Sequence, residues 1–590
     1  MRQRSSQFRS LVASLLLLGC GGGRAPSQQP AAAVVAAPSP PVAERREHVV
    51  RVAGQTLDDP YSWLRQRDDP AVMRHLEAEN AYTAAMMQSA GALRERLYVE
   101  LKGRLVETDR SAPYVHGGHE YYDRTVAGKS YPVHYRRKLE GRTPVGPEQL
   151  LLDENALADG QDFFDLGGFD PSPDQARLAY VVDGVGDERY LLHTRSLAPG
   201  GGELDEPIVD VGTTLAWADD EHLLYTTLDE TNRPYKVFRH RIGTAQAADV
   251  EVFHEPDGAY YLSLARSRSE RYVFLRSESA VTSEVRLLDT RTPTRPFRVV
   301  SPRRPGVEYQ VEDSGEQLFV LTNEGGAHNF ALKVTDVRTP DAAHWRTVVP
   351  HRAEVQLTGL DVFRHHLVLY EREGGLPRVR VRGLEPPFAE RRLEFDEPSY
   401  DVVPGDNYEL DAPALRLEYT SQITPLSVLD YDLASGARTL VKQREVPGYD
   451  ASRFEARRLF ARAQDGVEVP ISIVLERRAG APTPRPLLLY GYGAYGIVYE
   501  PSFDFTALSL LERGFAVAIA HVRGGGELGR KWYEDGKLRH KKNTFGDFIA
   551  VAERLIADGY TTPAQLAISG ASAGGLLIGA VSNMRPELFR

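Results

Sequence analysis

One pentapeptide near the end of the chain, Gly570-Ala571-Ser572-Ala573-Gly574, constrains the fold more than any other stretch. It follows a short apolar run, Leu566-Ala567-Ile568-Ser569, and precedes a small-residue helix start, Gly575-Leu576-Leu577-Ile578-Gly579-Ala580. A G-x-S-x-G between a strand and a helix reads as a sharp turn that exposes a serine at the top of an α/β sheet. The glycines are needed because bulkier neighbours would collide with the strand and helix packed beside the turn. Ser572 is thus a candidate nucleophile, but a hydroxyl is inert without a histidine base and an acid to orient that base. On this architecture the chain order is Ser, then Asp or Glu, then His. Residues 573–590 contain no Asp and no His, and their one acid is Glu587. The expectation is a truncated hydrolase domain whose triad Asp and His are absent, inactive and poorly stable as written.

The residues upstream fit that architecture. Pro486-Leu487-Leu488-Leu489-Tyr490 and Phe515-Ala516-Val517-Ala518-Ile519-Ala520 read as buried strands, and Ala507 to Arg513 as a helix stopped by Gly514. Phe545, Phe548, Ile549, Ala552, Leu555 and Ile556 recur at helical spacing, with Asn543 or Thr544 as N-cap and Gly559 as the stop. Alternating strands and helices imply a parallel sheet covered by helices. The oxyanion of an acyl transfer needs two donors, and the Ala573 backbone N–H is one of them. The glycine-alternated loop Tyr490-Gly491-Tyr492-Gly493-Ala494-Tyr495-Gly496 stands where the other donor would come from, although such a loop also makes a plain packed turn.

Gly524-Gly525-Gly526-Glu527-Leu528-Gly529 formally matches a dinucleotide fingerprint. A charged segment broken by Gly536 follows it rather than an apolar helix, so the nucleotide reading fails. The basic run Lys537 to Lys542 reads as a solvated loop, and His521, next to a buried strand, as structural.

Between about 114 and 455 the pattern differs. Short runs such as Arg177-Leu178-Ala179-Tyr180-Val181-Val182, Tyr272-Val273-Phe274-Leu275 and Leu318-Phe319-Val320-Leu321-Thr322 recur between Gly, Pro, Asp and Asn. Their spacing suits four-stranded propeller blades, about seven of them, with two stacked β-sandwiches as the other solution.

The N-terminus is of another kind. Arg2, Arg4 and Arg9 precede an apolar stretch, Leu11 to Leu18, too short to span a bilayer. Leu17-Leu18-Gly19-Cys20 resembles a bacterial lipobox, which makes Cys20, the sole cysteine, a lipidation site. The expected organisation is a lipoprotein-type signal peptide at 1–20, a disordered tether at 21–44 and a helical segment at 45–113 packing on the hydrolase domain. A β-propeller at 114–455 and an α/β-hydrolase domain at 456–590 complete it. A lipid anchor on the bacterial envelope, on the periplasmic or outer-membrane face, follows; a cytoplasmic location is the alternative. The net charge of −11 argues against nucleic acid as a partner, and nothing calls for a metal or cofactor. The oligomeric state is not legible.

Several motifs together resemble the prolyl oligopeptidase family of serine peptidases. They are Leu489-Tyr490-Gly491-Tyr492-Gly493, His521 to Gly529, Lys542-Asn543-Thr544-Phe545, Ser569 to Gly575, and Asn583 to Phe589. Asp59-Pro60-Tyr61-Ser62-Trp63-Leu64 is similar to the family's N-terminal segment. Trp532 to Lys537 and Thr282 to Asp289 resemble its oligopeptidase B (protease II) branch. The resemblance implies a seven-bladed propeller capping an α/β-hydrolase domain, admitting short peptides and excluding folded proteins. It implies Ser572 as nucleophile, the Tyr492 hydroxyl and the Ala573 N–H as oxyanion donors, and cleavage after Arg or Lys. The alternatives are a non-catalytic propeller protein that binds peptides or partners, and an esterase or acylaminoacyl-peptidase on the same fold.

Overall fold

The computed structural model of the protein describes residues 38–480 and 482–590. The signal-peptide reading, the lipid site at Cys20 and most of the tether lie outside the described residues.

The chain forms two units, one ending at Gly103 and one running from Arg104 to Arg590. In the first, Val49–Val52 and Gln55–Asp58 pair as a hairpin ahead of two helices, Pro70–Met87 and Gly91–Gly103. Asp69 caps the longer helix, accepting from the Ala71 N–H at 2.8 Å, and Pro70 occupies its first position, where a missing N–H costs nothing. Arg46 joins that cap to Trp63: it lies 3.1 Å from Asp69 and 4.2 Å over the indole.

In the second unit, residues 109–443 form antiparallel sheets, all but the first of them meanders in sequence order. The first sheet has six strands, the second has seven (Asp165 to His254), and four four-stranded sheets follow. The longer strands bury aliphatic and aromatic residues, and these pack as separate apolar clusters between successive sheets and within the seven-stranded one. Phe363, Val368 and Tyr370 of one sheet against Tyr400, Leu415 and Leu417 of the next are typical. The result is a propeller in which each blade is stable only against its neighbours.

The ring closes differently. Last and first sheets share no strand; they meet through polar and ring contacts. Lys442 reaches Asp109 at 2.5 Å, the Gly117 N–H donates to Glu409 at 2.9 Å, and the Tyr408 ring lies 5.1 Å from Tyr114 and 5.0 Å from His116. The Arg416 guanidinium donates to the Pro113 carbonyl and pairs with Asp430.

Beyond the ring, five strands form the hydrolase sheet in the order Phe454–Arg462, Glu468–Glu476, Ala516–Ala520, Leu487–Gly491, Leu566–Ser569. The last three are parallel, as the alternation of strands and helices predicts. The first two form an antiparallel hairpin that extends the sheet, so it is mixed rather than purely parallel. The hairpin escapes a periodicity argument because Phe454–Arg462 carries charged side chains, while Glu468–Glu476 is buried throughout its middle. The amphipathic helix is Lys541–Ala557, which buries Phe548, Val551, Ala552 and Leu555. It begins earlier than Asn543 or Thr544, and the Thr544 side chain is occupied elsewhere.

A buried histidine ties the first ring sheet together. His134 places Nδ1 2.7 Å from Asp123 and Nε2 2.7 Å from Glu154. Burial alone pulls the imidazolium down, but the two carboxylates outweigh it and raise its pKa to about 9. The folded pKa lies above the unfolded one, so this stabilisation is complete below about pH 6.5 and is lost as pH rises through about 9. Replacing His134 by Gln should lower the melting temperature at pH 6.5. It should also remove a loss of roughly 2–3 kcal/mol that the parent shows between pH 6.5 and 10, read from urea unfolding at each pH.

Candidate active site

Ser572 sits between the strand Leu566–Ser569 and the helix Ala573–Met584 with φ 53° and ψ −120°, a region that a residue with a β-carbon seldom occupies. The turn is locked at both ends: the Gly574 N–H donates to the Ala571 carbonyl at 2.7 Å, and the Gly575 N–H to the Ser572 carbonyl at 2.8 Å. Gly570 and Gly574 are obligatory, since a β-carbon on either would stand 2.8 Å from the Gly491 carbonyl oxygen. The serine is consequently exposed, and the Ala573 N–H heads a twelve-residue helix, among the donors that a first turn leaves without helical partners.

Tyr490 pairs in register with Ser569, which carries the loop that follows it to the elbow. Tyr492 packs against the first helical turn: a methyl group on Gly574 would meet its ring at 3.5 Å. The fold therefore brings Ser572, Ala573 and Tyr492 to one spot. It adds Tyr490, which the sequence reading leaves without a role. Its ring stacks on Tyr499 with centroids 4.1 Å apart, and burial raises its pKa against the opposing pull of Tyr499 and the Ala571 backbone. Tyrosine alternation in the loop was the visible signal for Tyr490; its stacking partner Tyr499 was not.

The two glycine-rich loops are interlocked backbone to backbone. A β-carbon on Gly524 (φ +100°) would lie 2.1 Å from the Gly493 oxygen, and one on Gly526 would lie 2.5 Å from the Gly496 oxygen. The Gly496 N–H donates to the Gly524 carbonyl at 3.0 Å. The glycines at 524–529 thus serve close packing, and the helix after Gly529 has only five residues. Thr544 locks the same joint, its hydroxyl donating to the Arg523 carbonyl at 2.7 Å and lying 3.2 Å from the Gly536 carbonyl. Lys541, expected in a solvated loop, instead donates to the Gly493 carbonyl at 2.5 Å, and burial lowers its pKa. Its neighbours in the run, Leu538 to His540 and Lys542, are exposed.

Arg523 anchors this layer. Its guanidinium and backbone N–H all donate to buried Asp547, the shortest contact being 2.6 Å, and it reaches Asp465 at 2.5 Å. The Asp547 bonds hold the guanidinium firmly protonated. His521 is buried, with Nε2 2.8 Å from the Ser472 hydroxyl and Nδ1 3.8 Å from Glu527. Among the described residues no histidine or carboxylate hydrogen-bonds Ser572. Glu587, the one acid after it, pairs with Arg585 at the surface.

The ring meets this half through a few polar bonds. Arg530 accepts no freedom there: its N–H donates to Asn329 at 3.0 Å and its side chain lies 3.1 Å from Glu308. The Phe503 N–H donates to Thr420 at 3.1 Å, and Arg372 pairs with Glu500. Burial, then the neighbouring Glu500, raises Asp401 to about 7, against the opposing pull of Arg372.

A β-propeller joined to an α/β sheet that bears a strained, exposed serine defines a propeller-capped serine hydrolase. Residues 40–444 match the prolyl oligopeptidase N-terminal β-propeller domain, and residues 501–590 match the domain described as the prolyl oligopeptidase family. The chain belongs to the prolyl oligopeptidase family of serine peptidases. It is 37% identical to dipeptidyl aminopeptidase BI of Pseudoxanthomonas mexicana over 94% of its own length and 78% of that protein's. It is 36% identical to protease 2 of Moraxella lacunata over 93% and 80% respectively. Among solved structures it resembles oligopeptidase B of Leishmania major, with a TM-score of 0.87 and 35% identity over 93% of this chain and 81% of that one. Oligopeptidase B of Trypanosoma brucei, with covalently bound antipain, gives a TM-score of 0.86 and 39% identity over the same shares.

The buried Arg523–Asp547 pair and the half-exposed Arg523–Asp465 pair allow a direct contrast. Asp547→Ala leaves a buried guanidinium without its main partner and should cost about 3–5 kcal/mol, whereas Asp465→Ala should cost at most about 1 kcal/mol. Urea unfolding of the two variants checks this.

Proposed function

We propose that the chain carries the nucleophile and oxyanion donors of a serine-type oligopeptidase, which hydrolyses short peptides through an acyl-enzyme on Ser572, cutting after Arg or Lys. The observation that carries this is the strained elbow with Ala573 and Tyr492 beside it. The Ser572 Oγ attacks the scissile carbonyl while its proton passes to a base. The carbonyl oxygen becomes an oxyanion that accepts from the Ala573 N–H and the Tyr492 hydroxyl. The base returns the proton to the leaving amine, and water then releases the acyl group. We read the seven-stranded sheet as two blades fused through Ile208–Trp217, which pairs with Tyr190–Ser196 near its start and with His222–Leu228 near its end. The ring would then have seven blades. A base and its orienting acid are needed for turnover, and the chain as written would lack both; removing them leaves only the residual contribution of binding and the oxyanion donors.

The likeness to oligopeptidase B and protease 2 supports basic-residue cleavage. The likeness to a dipeptidyl aminopeptidase favours a second reading, stepwise release of dipeptides. A panel of quenched peptides with Arg, Lys, Pro or Ala at one internal site tests both, applied to this chain and to any longer product of its reading frame. The expected result is no turnover by the chain as written, and cleavage after Arg and Lys by a longer product, abolished by Ser572→Ala. Cleavage after Pro alone would overturn the specificity, and dipeptide products by mass spectrometry would favour the second reading. Turnover by the chain as written would overturn its inactivity.

The lipid anchor on the cell envelope is likewise a proposal. Cys20→Ser should move the expressed protein from the membrane to the soluble fraction, and an unchanged distribution would overturn it.

A further inference from the structure

One short turn in the propeller touches nearly every other sheet. It is Ser267–Glu270, between the strands Tyr261–Arg266 and Tyr272–Glu278, and it is tightened by the Glu270 N–H donating to the Ser267 carbonyl at 2.8 Å. Neighbouring sheets are within easy reach of such a turn: Arg266 donates to the Trp217 carbonyl at 2.7 Å on one side, and Ser269 to Asp313 at 2.5 Å on the other. The remaining contacts skip neighbours. Arg268 donates to Asp361 at 2.9 Å and to the Val362 carbonyl at 2.8 Å, two sheets away, and to the Asn407 carbonyl at 2.8 Å, three sheets away. Glu270 lies 3.5 Å from His116, in the first sheet, on the far side of the ring. A turn can reach these partners only by crossing the ring axis.

The crossing lies at a definite end. The first strand of the neighbouring sheet, Tyr309–Asp313, begins just after Glu308, which pairs with Arg530 of the hydrolase half. It ends at Asp313, which holds Ser269. Five residues of strand separate the two by about 16 Å. The turn therefore spans the mouth of the ring remote from the hydrolase sheet. It is firmly held there. Asp361 is fully buried and receives the Tyr370 hydroxyl on its second oxygen at 2.7 Å, and the Arg268 guanidinium lies 4.7 Å over the Phe363 ring.

We propose that Ser267–Glu270 is a plug that closes the remote mouth of the propeller. Arg268 and Glu270 are its two pins. The same bonds brace the junction between last and first sheets, which lacks a shared strand, so the test must separate sealing from bracing.

Gln310 is exposed on the first strand of its sheet, between buried Tyr309 and Val311; we assign it to the ring interior because the first strand of a blade lies beside the axis. In the full chain with Cys20→Ser, which removes the sole native thiol, Gln310→Cys becomes the one reporter. Its labelling is followed with a small maleimide and with a maleimide on a polymer of about 5 kDa. The plug is loosened by Arg268→Met, which keeps the stem over Phe363, and by Glu270→Gln, which keeps its volume; circular dichroism identifies the variants that remain folded. The expected result is slow polymer labelling in the parent and an increase of about tenfold or more in a folded plug variant. Unchanged rates in the folded variants would overturn the plug and leave the turn as a brace alone. The readout is access to a thiol, so it is independent of whether Ser572 turns over any peptide.

Discussion

At the Ser572 turn the Gly491 carbonyl oxygen stands where a β-carbon on residue 570 or 574 would have to be. That contact lets the end of one parallel strand press against the turn after the next, and it holds Ser572 at a positive φ that costs on the order of 1–3 kcal/mol. The strain persists because the surroundings are over-determined. Gly491 is itself wedged, since a β-carbon there would meet Phe548 and Leu577 at 2.7 and 2.9 Å. Thus the core of the helix Lys541–Ala557, the strand under the tyrosine loop and the elbow form one rigid block. The exposed serine, the Ala573 N–H and the Tyr492 ring all take their positions from it.

The block meets the glycine-rich segment through close backbone approach, fastened by two side chains, Thr544 and Lys541. A β-carbon on Gly524 would strike the Gly493 carbonyl and one on Gly536 the Gly524 backbone. One on Gly493 would meet the Thr544 and Val522 side chains, and the Thr544 hydroxyl fastens the joint through two carbonyls. Below them Arg523 and Asp547 exchange charge-assisted bonds in a site closed to water, where such a pair is costly to break. The ring obeys a different logic. Its sheets adhere through apolar clusters except at the junction of last and first, which ion pairs and stacked rings hold. A ring closed in that way depends on bonds across its axis, and the Ser267–Glu270 turn provides them.

Much of the site was legible because strained backbone leaves a compositional trace. Glycines flank Ser572, alternate through the tyrosine loop and crowd the 524–529 segment for steric reasons that can be read without coordinates. The strands Leu487–Gly491, Ala516–Ala520 and Leu566–Ser569 are apolar runs, and the helix Lys541–Ala557 has a clear period. What escaped was of another kind. The hairpin Phe454–Glu476 hid because one of its strands is rich in arginine. Thr544 looked like a helix cap and is a cross-loop fastener, since its hydroxyl points back at carbonyls many residues away. Lys541 looked solvated and bonds the Gly493 carbonyl.

The sequence by itself determined the two kinds of domain, the elbow and its serine, because these rest on periodicity and on local steric need. Only the tertiary structure decided what Tyr490 stacks on and what the glycine-rich loop packs against. It also decided which turn crosses the propeller axis. Those depend on contacts between residues up to a few hundred positions apart, as Arg268 with Asn407 or Glu270 with His116. No local pattern encodes such a meeting, because it follows from how the sheets are arranged around the ring.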